Sequence, residues 1–360
     1  MGRSDRMSDG RVRPYFTTRG LIPENQETPI HFLRGSIFDK GYWFLRNHFQ
    51  YPDQTNGGGN LLITGAVKKA LILKLEELKT LPSKTITVPL ICAGNQRSKF
   101  RPKVYGEQWE EGAVSQGVWT GVPLKDLLGV AGLEENALEV VFSGTDRGIT
   151  PNVDDEAVLY ERSLPMNKAL HPDTIVAYEY NGLPIPFKHG YPLRLIVPNW
   201  YGMASVKWLQ KITVVDQPYE GPFQTDDYVY YPDPHTGEGK LPVTTIRVNS
   251  IIQQPLDHSV IDEGAHVIVG LAWSGEGQIE EVEISFDKGN TWEAVTLAQD
   301  RTKRYAWTEW QYIWTTPGKG KYTIQTRAMD SNGNVQPERE YWNRKGYGYN
   351  AIHKINVKVE

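Results

Sequence analysis

The chain has 360 residues and a mass of 40.8 kDa, with 39 Lys plus Arg, 43 Asp plus Glu and a formal net charge of −4. This length suffices for two hydrophobic cores, whereas the slightly acidic balance gives no general attraction to nucleic acid. No apolar run is long enough to span a membrane. The polar, Arg-rich N-terminus lacks a signal-peptide core, which indicates a cytoplasmic protein, or a periplasmic or extracellular one if the chain is a processed form.

The first two regions of the chain differ in their local patterns. Residues 1–30 contain several turn formers and little periodicity, so we expect an N-terminal arm that lies over the first domain. Residues 31–242 alternate short β-type runs with brief helical patterns and many Gly and Pro breaks, as in run 61–67 followed by run 73–78. This mixture predicts an α+β domain whose loops carry the chemistry.

The last region, residues 243–360, is dominated by runs that alternate polar and apolar residues. The runs are 267–273, 279–286, 307–314 and 322–328, and turn sequences lie between them at 287–290 and 332–334. Short alternating strands at regular spacing predict an immunoglobulin-like β-sandwich, here without the cysteine pair.

The single cysteine, Cys92, lies in the sequence Cys-Ala-Gly-Asn-Gln-Arg, directly after the strand-like run 86–90. A lone thiol cannot form an intrachain disulfide, so Cys92 is a buried hydrophobe, a nucleophile or a metal ligand. The chain has no zinc-protease, P-loop or serine-hydrolase motif. The residues around Cys92 do not by themselves decide among these roles.

Four segments place Arg, His or Lys beside residues that prefer burial. They are 42–48, 92–97, 189–194 and 205–208. A buried guanidinium without an anion costs several kcal/mol, so such residues usually meet a carboxylate or bind an oxyanion ligand. Structural ion pairs are the alternative explanation for any one segment.

In order and spacing, these segments resemble the sulfite oxidase family of molybdopterin enzymes, of the bacterial type without a haem domain. The resemblance is carried by Cys92-Ala93-Gly94-Asn95 followed by Arg97, by Arg46-Asn47-His48, and by the long stretch 177–209. Residues 287–292 and 334–337 resemble the dimerisation domain of that family. The resemblance implies a mixed α/β molybdopterin-binding domain of sulfite-oxidase type, followed by an immunoglobulin-like dimerisation domain and a homodimer.

The resemblance also implies the cofactor and the residues of the site. Molybdenum with molybdopterin is expected, with Cys92 as the metal ligand, a role that suits a soft thiolate. The implied cofactor-binding residues are Trp43, Phe44, Asn47, His48, Asp146, His189, Arg194, Ser205 and Lys207. The implied substrate-pocket residues are Arg46, Arg97, Trp109, Tyr178 and Lys345. There the two guanidinium groups would clamp an oxyanion, Tyr178 would hydrogen-bond to the substrate, and Trp109 would close one wall.

The activity that the resemblance implies is oxidation of sulfite to sulfate by oxygen-atom transfer. Because no haem is expected in this chain, the electrons would pass to an external acceptor such as a cytochrome c. Gln96 and Lys345 stand where arginine is usual in the vertebrate and plant enzymes. Gln96 is expected to remove a positive charge near the metal. Lys345 keeps the charge but loses the planar fork of arginine, and Arg344 could replace that fork only if it faces inward.

Three alternatives remain open from the sequence. A molybdoenzyme of the same fold could act on sulfane sulfur, nitrate or a sulfoxide. A cofactor-free anion-binding module would leave Cys92 structural. A thiol hydrolase would pair Cys92 with His48 or His189, although nothing marks an orienting carboxylate or an oxyanion hole.

Overall fold

The computed structural model describes residues 16–33, 42–53, 59–150, 156–231, 233 and 235–360. Half of the predicted N-terminal arm, residues 1–15, lies outside this range. The described part of the arm forms an antiparallel hairpin of β1 (Thr17–Leu21) and β2 (Glu24–Glu27). Backbone hydrogen bonds of 2.8 and 2.9 Å join Gln26 to Leu45, so the hairpin docks on the segment that contains the Arg46-Asn47-His48 motif.

The first domain contains two five-stranded sheets. In chain order, its strands and α-helices are β3 (Asn60–Gly65), β4 (Leu71–Lys74), α1 (Leu75–Thr80), β5 (Lys84–Ile91), β6 (Val114–Pro123), α2 (Leu124–Ala131), β7 (Glu139–Gly148), β8 (Val158–Pro165), α3 (Met166–Ala169), β9 (Ile175–Tyr180), β10 (Leu183–Pro184), β11 (Arg194–Ile196) and β12 (Leu209–Val215). One sheet has the order β10-β9-β6-β5, with β11 paired to β9, and the other has the order β4-β3-β12-β7-β8. Short 3₁₀ helices lie at Ile30–Phe32, Arg97–Lys99, Phe187–His189 and Gly202–Ala204, and a π-helical turn lies at Phe223–Asp227.

The described part of this domain is mostly strand, with less helix than the sequence pattern suggested. The run 73–78 illustrates the difference, because Leu73 and Lys74 pair with Leu61 and Asn60 and the helix begins only at Leu75. Segments this short cannot form long helices, since the first helical turn is costly to nucleate.

The helix α2 shows how the sequence sets one element. Leu124, Leu127, Leu128 and Ala131 are buried on one face at the spacing of three and four residues that a helix requires. Gly132 follows with a φ of +70°, a conformation that suits glycine, and ends the helix.

A small hairpin of β13 (Val229–Tyr230) and β14 (Leu241–Pro242) leads into the second domain. There the strands are β15 (Asn249–Gln254), β16 (Ser259–Ile261), β17 (Ala265–Trp273), β18 (Ile279–Ser285), β19 (Glu293–Ala294), β20 (Thr296–Ala298), β21 (Thr308–Thr315), β22 (Gly320–Asp330) and β23 (His353–Val359). They form a four-stranded sheet, β15-β17-β21-β20, and a five-stranded sheet, β16-β23-β22-β18-β19.

The two sheets of the second domain share one hydrophobic core. Ile268 and Trp310 from one sheet and Ile284 and Ile324 from the other belong to the same buried cluster. The strand β23 alternates strictly between buried and exposed residues, as expected for a strand with one face on a core. All four strands predicted in this region are present within a few residues of the predicted bounds. Among the described helices, none has the length and apolar character to cross a membrane.

Candidate active site

A cleft in the first domain gathers most of the predicted site residues. It encloses about 670 Å³ of space, including the part open to solvent. It is lined by Trp43, Phe44, Leu45, Arg46, Asn47, His48, Cys92, Ala93, Asp146, Tyr160, His189, Arg194, Gly202, Met203, Ser205, Lys207 and Tyr228. Every residue predicted to hold the cofactor, together with Cys92 and Arg46, therefore lies on one surface.

Cys92 is held at the cleft by a tight turn after β5. Its backbone N–H donates to the carbonyl of Ala113 at 2.9 Å, and its own carbonyl accepts from the N–H of Asn95 at 2.9 Å. The side-chain oxygen of Asn95 accepts from the N–H of Ala113 at 3.0 Å, which locks the turn. Burial raises the pKa of the Cys92 thiol, while the nearby guanidinium groups of Arg46 and Arg97 oppose this rise. The thiol is therefore neutral by itself, and a bound metal ion would deprotonate it.

Arg97 lies beside Cys92 and ties the two domains together. Its Nε donates to the carbonyls of Lys345 and Gly346, both at 3.2 Å, and one terminal nitrogen donates to the carbonyl of Glu107 at 3.1 Å. A Cβ atom at Gly94 would lie only 2.7 Å from the guanidinium carbon, so a larger residue there would displace the Arg97 side chain. Arg97 forms no ion pair among the described residues, and its charge stays available to the cleft.

The Arg46-Asn47-His48 motif is positioned by the N-terminal hairpin. The N–H of Asn47 donates to Oδ1 of Asn25 at 2.7 Å, and Nδ2 of Asn47 donates to the carbonyl of Glu24 at 2.7 Å. A terminal nitrogen of Arg46 lies 3.2 Å from Nδ1 of His48. The arm thus builds part of the cleft wall.

The partners of His48 define its tautomer. Because Arg46 can only donate, Nδ1 of His48 accepts, and the proton lies on Nε2, which is 2.7 Å from the hydroxyl oxygen of Tyr228. Burial lowers the pKa of His48, and the charges of Arg46, Lys207 and Arg162 lower it further. His48 is therefore a neutral hydrogen-bond donor to Tyr228.

Two more cations, the buried Arg194 and the half-buried Lys207, line the cleft. Arg194 donates to the carbonyls of His189 at 3.0 Å and Ser205 at 3.2 Å. The indole of Trp43 stacks on the ring of His189 with 3.7 Å between centroids and 4° between planes. Burial lowers the pKa of Arg194 to about 9, and Lys207 donates to Oδ1 of Asn47. This part of the cleft is built for an anionic group.

Asp146 contributes the one carboxylate among the described residues that line the cleft. Its Oδ1 is buried without a hydrogen-bond partner in the described structure. Burial raises its pKa, and the ammonium group of Lys207 opposes the rise. A buried acceptor without a donor is costly, so the site is suited to a ligand with N–H groups.

Several residues of the site were missed by the sequence analysis. Asp227 accepts from the hydroxyl of Tyr347 at 3.1 Å and lies 3.6 Å from Nζ of Lys345 and 4.0 Å from Nε2 of His48. Tyr160 and Tyr228 line the cleft itself. The segment 223–228 has no strand or helix periodicity, so only its mixture of acidic and aromatic residues could have drawn attention.

Tyr178 and Trp109 are not among the residues that line the cleft; Trp109 is fully buried, whereas Tyr178 is 7% exposed, as is Cys92. Their roles in the substrate pocket stay predictions. Tyr178 lies at a register shift between β6 and β9, where the pairing passes from Glu179 to Ala177. The tyrosines that line the cleft are Tyr160 and Tyr228.

Gln96 lies outside the cleft lining. Its side chain is fully buried and its Oε1 accepts from Nδ2 of Asn249 in the second domain at 2.9 Å. The effect of this neutral residue on the charge near the metal stays a prediction. Lys345 lies at the cleft margin near Asp227, whereas Arg344 is exposed and donates to the carbonyl of Thr236, so Arg344 does not replace it.

Comparisons with known proteins identify the class. Residues 48–223 match the oxidoreductase molybdopterin binding domain, and residues 240–360 match the Mo-co oxidoreductase dimerisation domain. The chain is thus a molybdopterin-dependent oxidoreductase. The mitochondrial sulfite oxidase of Rattus norvegicus is 34% identical over 99% of this chain and 68% of that protein. The chain belongs to the sulfite oxidase family, and the predicted family and cofactor are both confirmed.

Two further relatives act on other substrates according to their names. An NADH nitrate reductase of Solanum lycopersicum is 30% identical over 94% of this chain and 40% of the reductase. The crystal structure of the sulfane dehydrogenase SoxCD from Paracoccus pantotrophus matches with a TM-score of 0.82 and 27% identity, over 99% of this chain and 93% of that chain. Family membership decides against the cofactor-free module and leaves the substrate open.

The residues of the cleft fit molybdopterin. The free buried thiol of Cys92 offers a soft metal ligand. Arg194 and Lys207 offer partners for a phosphate, and the unpaired Oδ1 of Asp146 offers an acceptor for ring N–H groups. We assign Cys92 to the metal, Arg194 and Lys207 to the anionic end, and Asp146 to the pterin. When bound, the metal supplies two-electron redox chemistry and oxygen-atom transfer.

Proposed function

We propose that this protein oxidises sulfite to sulfate and passes the electrons to an external acceptor such as a cytochrome c. The observation that carries the proposal is the pair of guanidinium groups, Arg46 and Arg97, close enough to Cys92 to influence its ionisation. Neither forms an ion pair with a carboxylate in the described part of the chain. Two unpaired guanidinium groups beside the metal ligand suit a small, doubly charged oxyanion.

The roles of the pocket residues follow from their contacts. Arg46 is partly exposed to the cleft and would meet the substrate directly, whereas Arg97 is held by three carbonyls and would act mainly through its charge. The Tyr228 hydroxyl accepts from His48, so its own proton is free to be donated to an anion in the cleft. Lys345 would contribute charge at the margin, where Asp227 holds it.

The proposal can be tested on the full chain produced in a host that makes the molybdenum cofactor. We expect molybdenum and pterin close to one per chain, and turnover of sulfite with ferricyanide or a cytochrome c. Arg46→Met should raise the KM for sulfite by roughly tenfold or more, because a guanidinium contact to an anion is worth about 1.5–3 kcal/mol. A loaded protein that does not turn over sulfite with any carrier would contradict the proposal.

Sulfane sulfur is the second candidate substrate class. It is favoured by the fold match to SoxCD over nearly the whole of both chains. Lys345 also favours it. An oxyanion such as sulfite is bound best by the planar guanidinium of arginine, whereas Lys345 offers only a point charge. Steady-state rates with sulfite, thiosulfate, nitrate and a sulfoxide, measured on one preparation with the same carriers, would rank the candidates.

We also propose a homodimer, because residues 240–360 match a dimerisation domain. The second domain would supply the contact, and its predicted immunoglobulin-like character is consistent with the two packed sheets. Sedimentation at micromolar concentration should give twice the mass of the chain. A monomer under these conditions would overturn this part of the proposal.

A further inference from the structure

Arg162, on β8, is a buried guanidinium behind the cleft wall. It lies two residues after Tyr160, on the same face of the strand, and is only 1% exposed. One terminal nitrogen donates to the carbonyl of Phe223, whereas Nε and the other terminal nitrogen have no hydrogen-bond partner in the described structure. The guanidinium carbon lies 5.4 Å from the centre of the Tyr228 ring.

No carboxylate forms an ion pair with Arg162 among the described residues. Asp227 is within electrostatic reach, but its oxygens already lie near Tyr347, Lys345 and His48. Burial lowers the pKa of Arg162, and the surrounding Tyr and Asp side chains offset part of this effect. A guanidinium remains charged even so, because its pKa starts near 12.5.

Burying this unpaired charge lowers the stability of the folded protein. A buried ion without a partner loses more by desolvation than one hydrogen bond to the Phe223 carbonyl restores. A neutral donor could serve that carbonyl at lower cost. The charge itself therefore needs an anion nearby, and the adjacent cleft, with Arg46, Arg97, Arg194 and Lys207 around it, is the place where anions are expected.

The contacts of Arg162 also lead to His48 and Tyr228, which line the cleft. Phe223 begins the turn Phe223–Asp227, which leads directly into Tyr228. The ring of Phe223 packs against His48 and Tyr160, both with 4.8 Å between centroids. Fixing the carbonyl of Phe223 thus fixes both partners of the Tyr228–His48 hydrogen bond.

We propose that Arg162 is a positioning residue for the reaction of this site. Its guanidinium holds the turn that carries Tyr228, and its unpaired charge adds to the positive potential that keeps an anion in the cleft. The kinetic consequence rests on the proposed function. The electrostatic consequence for His48 does not depend on the substrate.

The test compares Arg162→Met, which removes the charge and the hydrogen bond, with Arg162→Lys, which keeps the charge but loses the planar fork. Arg301→Met is the matched control, since Arg301 is 60% exposed in the second domain. All variants are the full chain with cofactor, with ¹³C-labelled histidine, and His48→Gln assigns the His48 signal. The groups that face His48 are Arg46, Arg97, Arg162, Lys207, Tyr160, Tyr228 and Asp227.

The first readout is the titration of His48 by NMR, which requires no turnover. Removing a nearby buried positive charge should shift the titration midpoint of His48 upward by roughly half to one pH unit in Arg162→Met. Arg162→Lys and Arg301→Met should stay near the wild-type midpoint. An unchanged midpoint in folded, cofactor-loaded Arg162→Met would overturn the electrostatic part of the proposal.

The second readout separates KM from kcat. Loss of the charge in Arg162→Met should raise the KM for sulfite and the inhibition constant of sulfate by roughly tenfold. Arg162→Lys keeps the charge, so both constants should stay within about twofold. Its kcat should fall by about fivefold or more, because the planar fork is lost. If Arg162→Met does not fold, an unchanged kcat in Arg162→Lys still refutes the positioning role. If the wild type does not oxidise sulfite, the proposed function fails while the His48 shift still decides this inference.

Discussion

Nδ2 of Asn249, in the second domain, lies 2.9 Å from Oε1 of Gln96, four residues after Cys92. Oδ1 of Asn249 in turn accepts from Gln336 at 3.0 Å. The polar chain Gln96-Asn249-Gln336 therefore fixes the loop that contains Cys92 to the second domain. The backbone of Gln96 has a φ of +63°, a conformation that is unfavourable for a residue other than glycine. The hydrogen bond with Asn249 helps to hold it there.

Gln96→Leu should destabilise the protein by about 1–3 kcal/mol, because Asn249 would lose an acceptor in a buried position. The KM for the substrate should stay within about twofold, since Gln96 does not face the cleft. Denaturant unfolding and steady-state kinetics check the two parts. Gln217→Leu, at an exposed position, is the control and should change the free energy of unfolding by less than about 0.5 kcal/mol. A large rise in KM without loss of stability would show that Gln96 acts on substrate binding and not on the contact with Asn249.

Tyr228→Phe should lower kcat by roughly tenfold or more, because it removes the hydroxyl that pairs with His48 in the cleft. The matched change Tyr178→Phe tests the other tyrosine predicted for the pocket, which does not line the cleft; if only Tyr228 acts on the substrate, kcat stays within about twofold in Tyr178→Phe. Steady-state kinetics of both variants under one set of conditions decide between the two tyrosines. Equal losses would place Tyr178 in the site after all.

Cys92→Ser should abolish turnover, with a loss of at least about a hundredfold, because oxygen is a harder ligand than the thiolate that the metal prefers. The pterin should still bind through Arg194, Lys207 and Asp146, so the pterin content should change little. Absorption spectra of the loaded protein should lose the metal-thiolate bands. Retention of these bands in Cys92→Ser would show that Cys92 is not the ligand.

Glu27 should make stability depend on pH. It is buried, it accepts from the N–H groups of Glu110 and Gly112, and it pairs with Arg19. Burial outweighs these contacts and raises its pKa from 4.5 to about 7. Because the folded chain then holds this proton more tightly than the unfolded chain, its contribution is present below pH 4.5 and is lost as the pH rises to about 7.

The size of this effect is at most about 3 kcal/mol, from 1.36 kcal/mol per pKa unit. Glu27→Gln keeps the shape and cannot ionise, so the difference in the free energy of unfolding between wild type and variant should shift in favour of the variant between pH 4.5 and 7. Urea unfolding at several pH values measures it. A difference that moves in the opposite direction would show that Arg19 dominates over burial.

The sequence by itself determined the segments of the site and the strands of the second domain. The motifs around Arg46, Cys92 and Lys207 are local strings whose residue types carry their chemistry, and the alternating runs report burial on one face of a strand. Both kinds of signal reside in neighbouring residues, so no tertiary information is needed to read them. The same locality explains why the short helices of the first domain were overestimated.

Only the tertiary structure decided that Tyr160 and Tyr228 line the cleft, that Gln96 bonds to Asn249 and that Arg162 lies unpaired behind Tyr228. These facts depend on contacts between residues far apart in the chain, such as His48 with Tyr228 and Gln96 with Asn249. The direction of a side chain depends on its local backbone and on how segments that are distant in the sequence pack against it. A local sequence pattern does not reveal that packing. Cys92 and its arginines could be named from the sequence, but the charge balance of their cleft is a property of the fold.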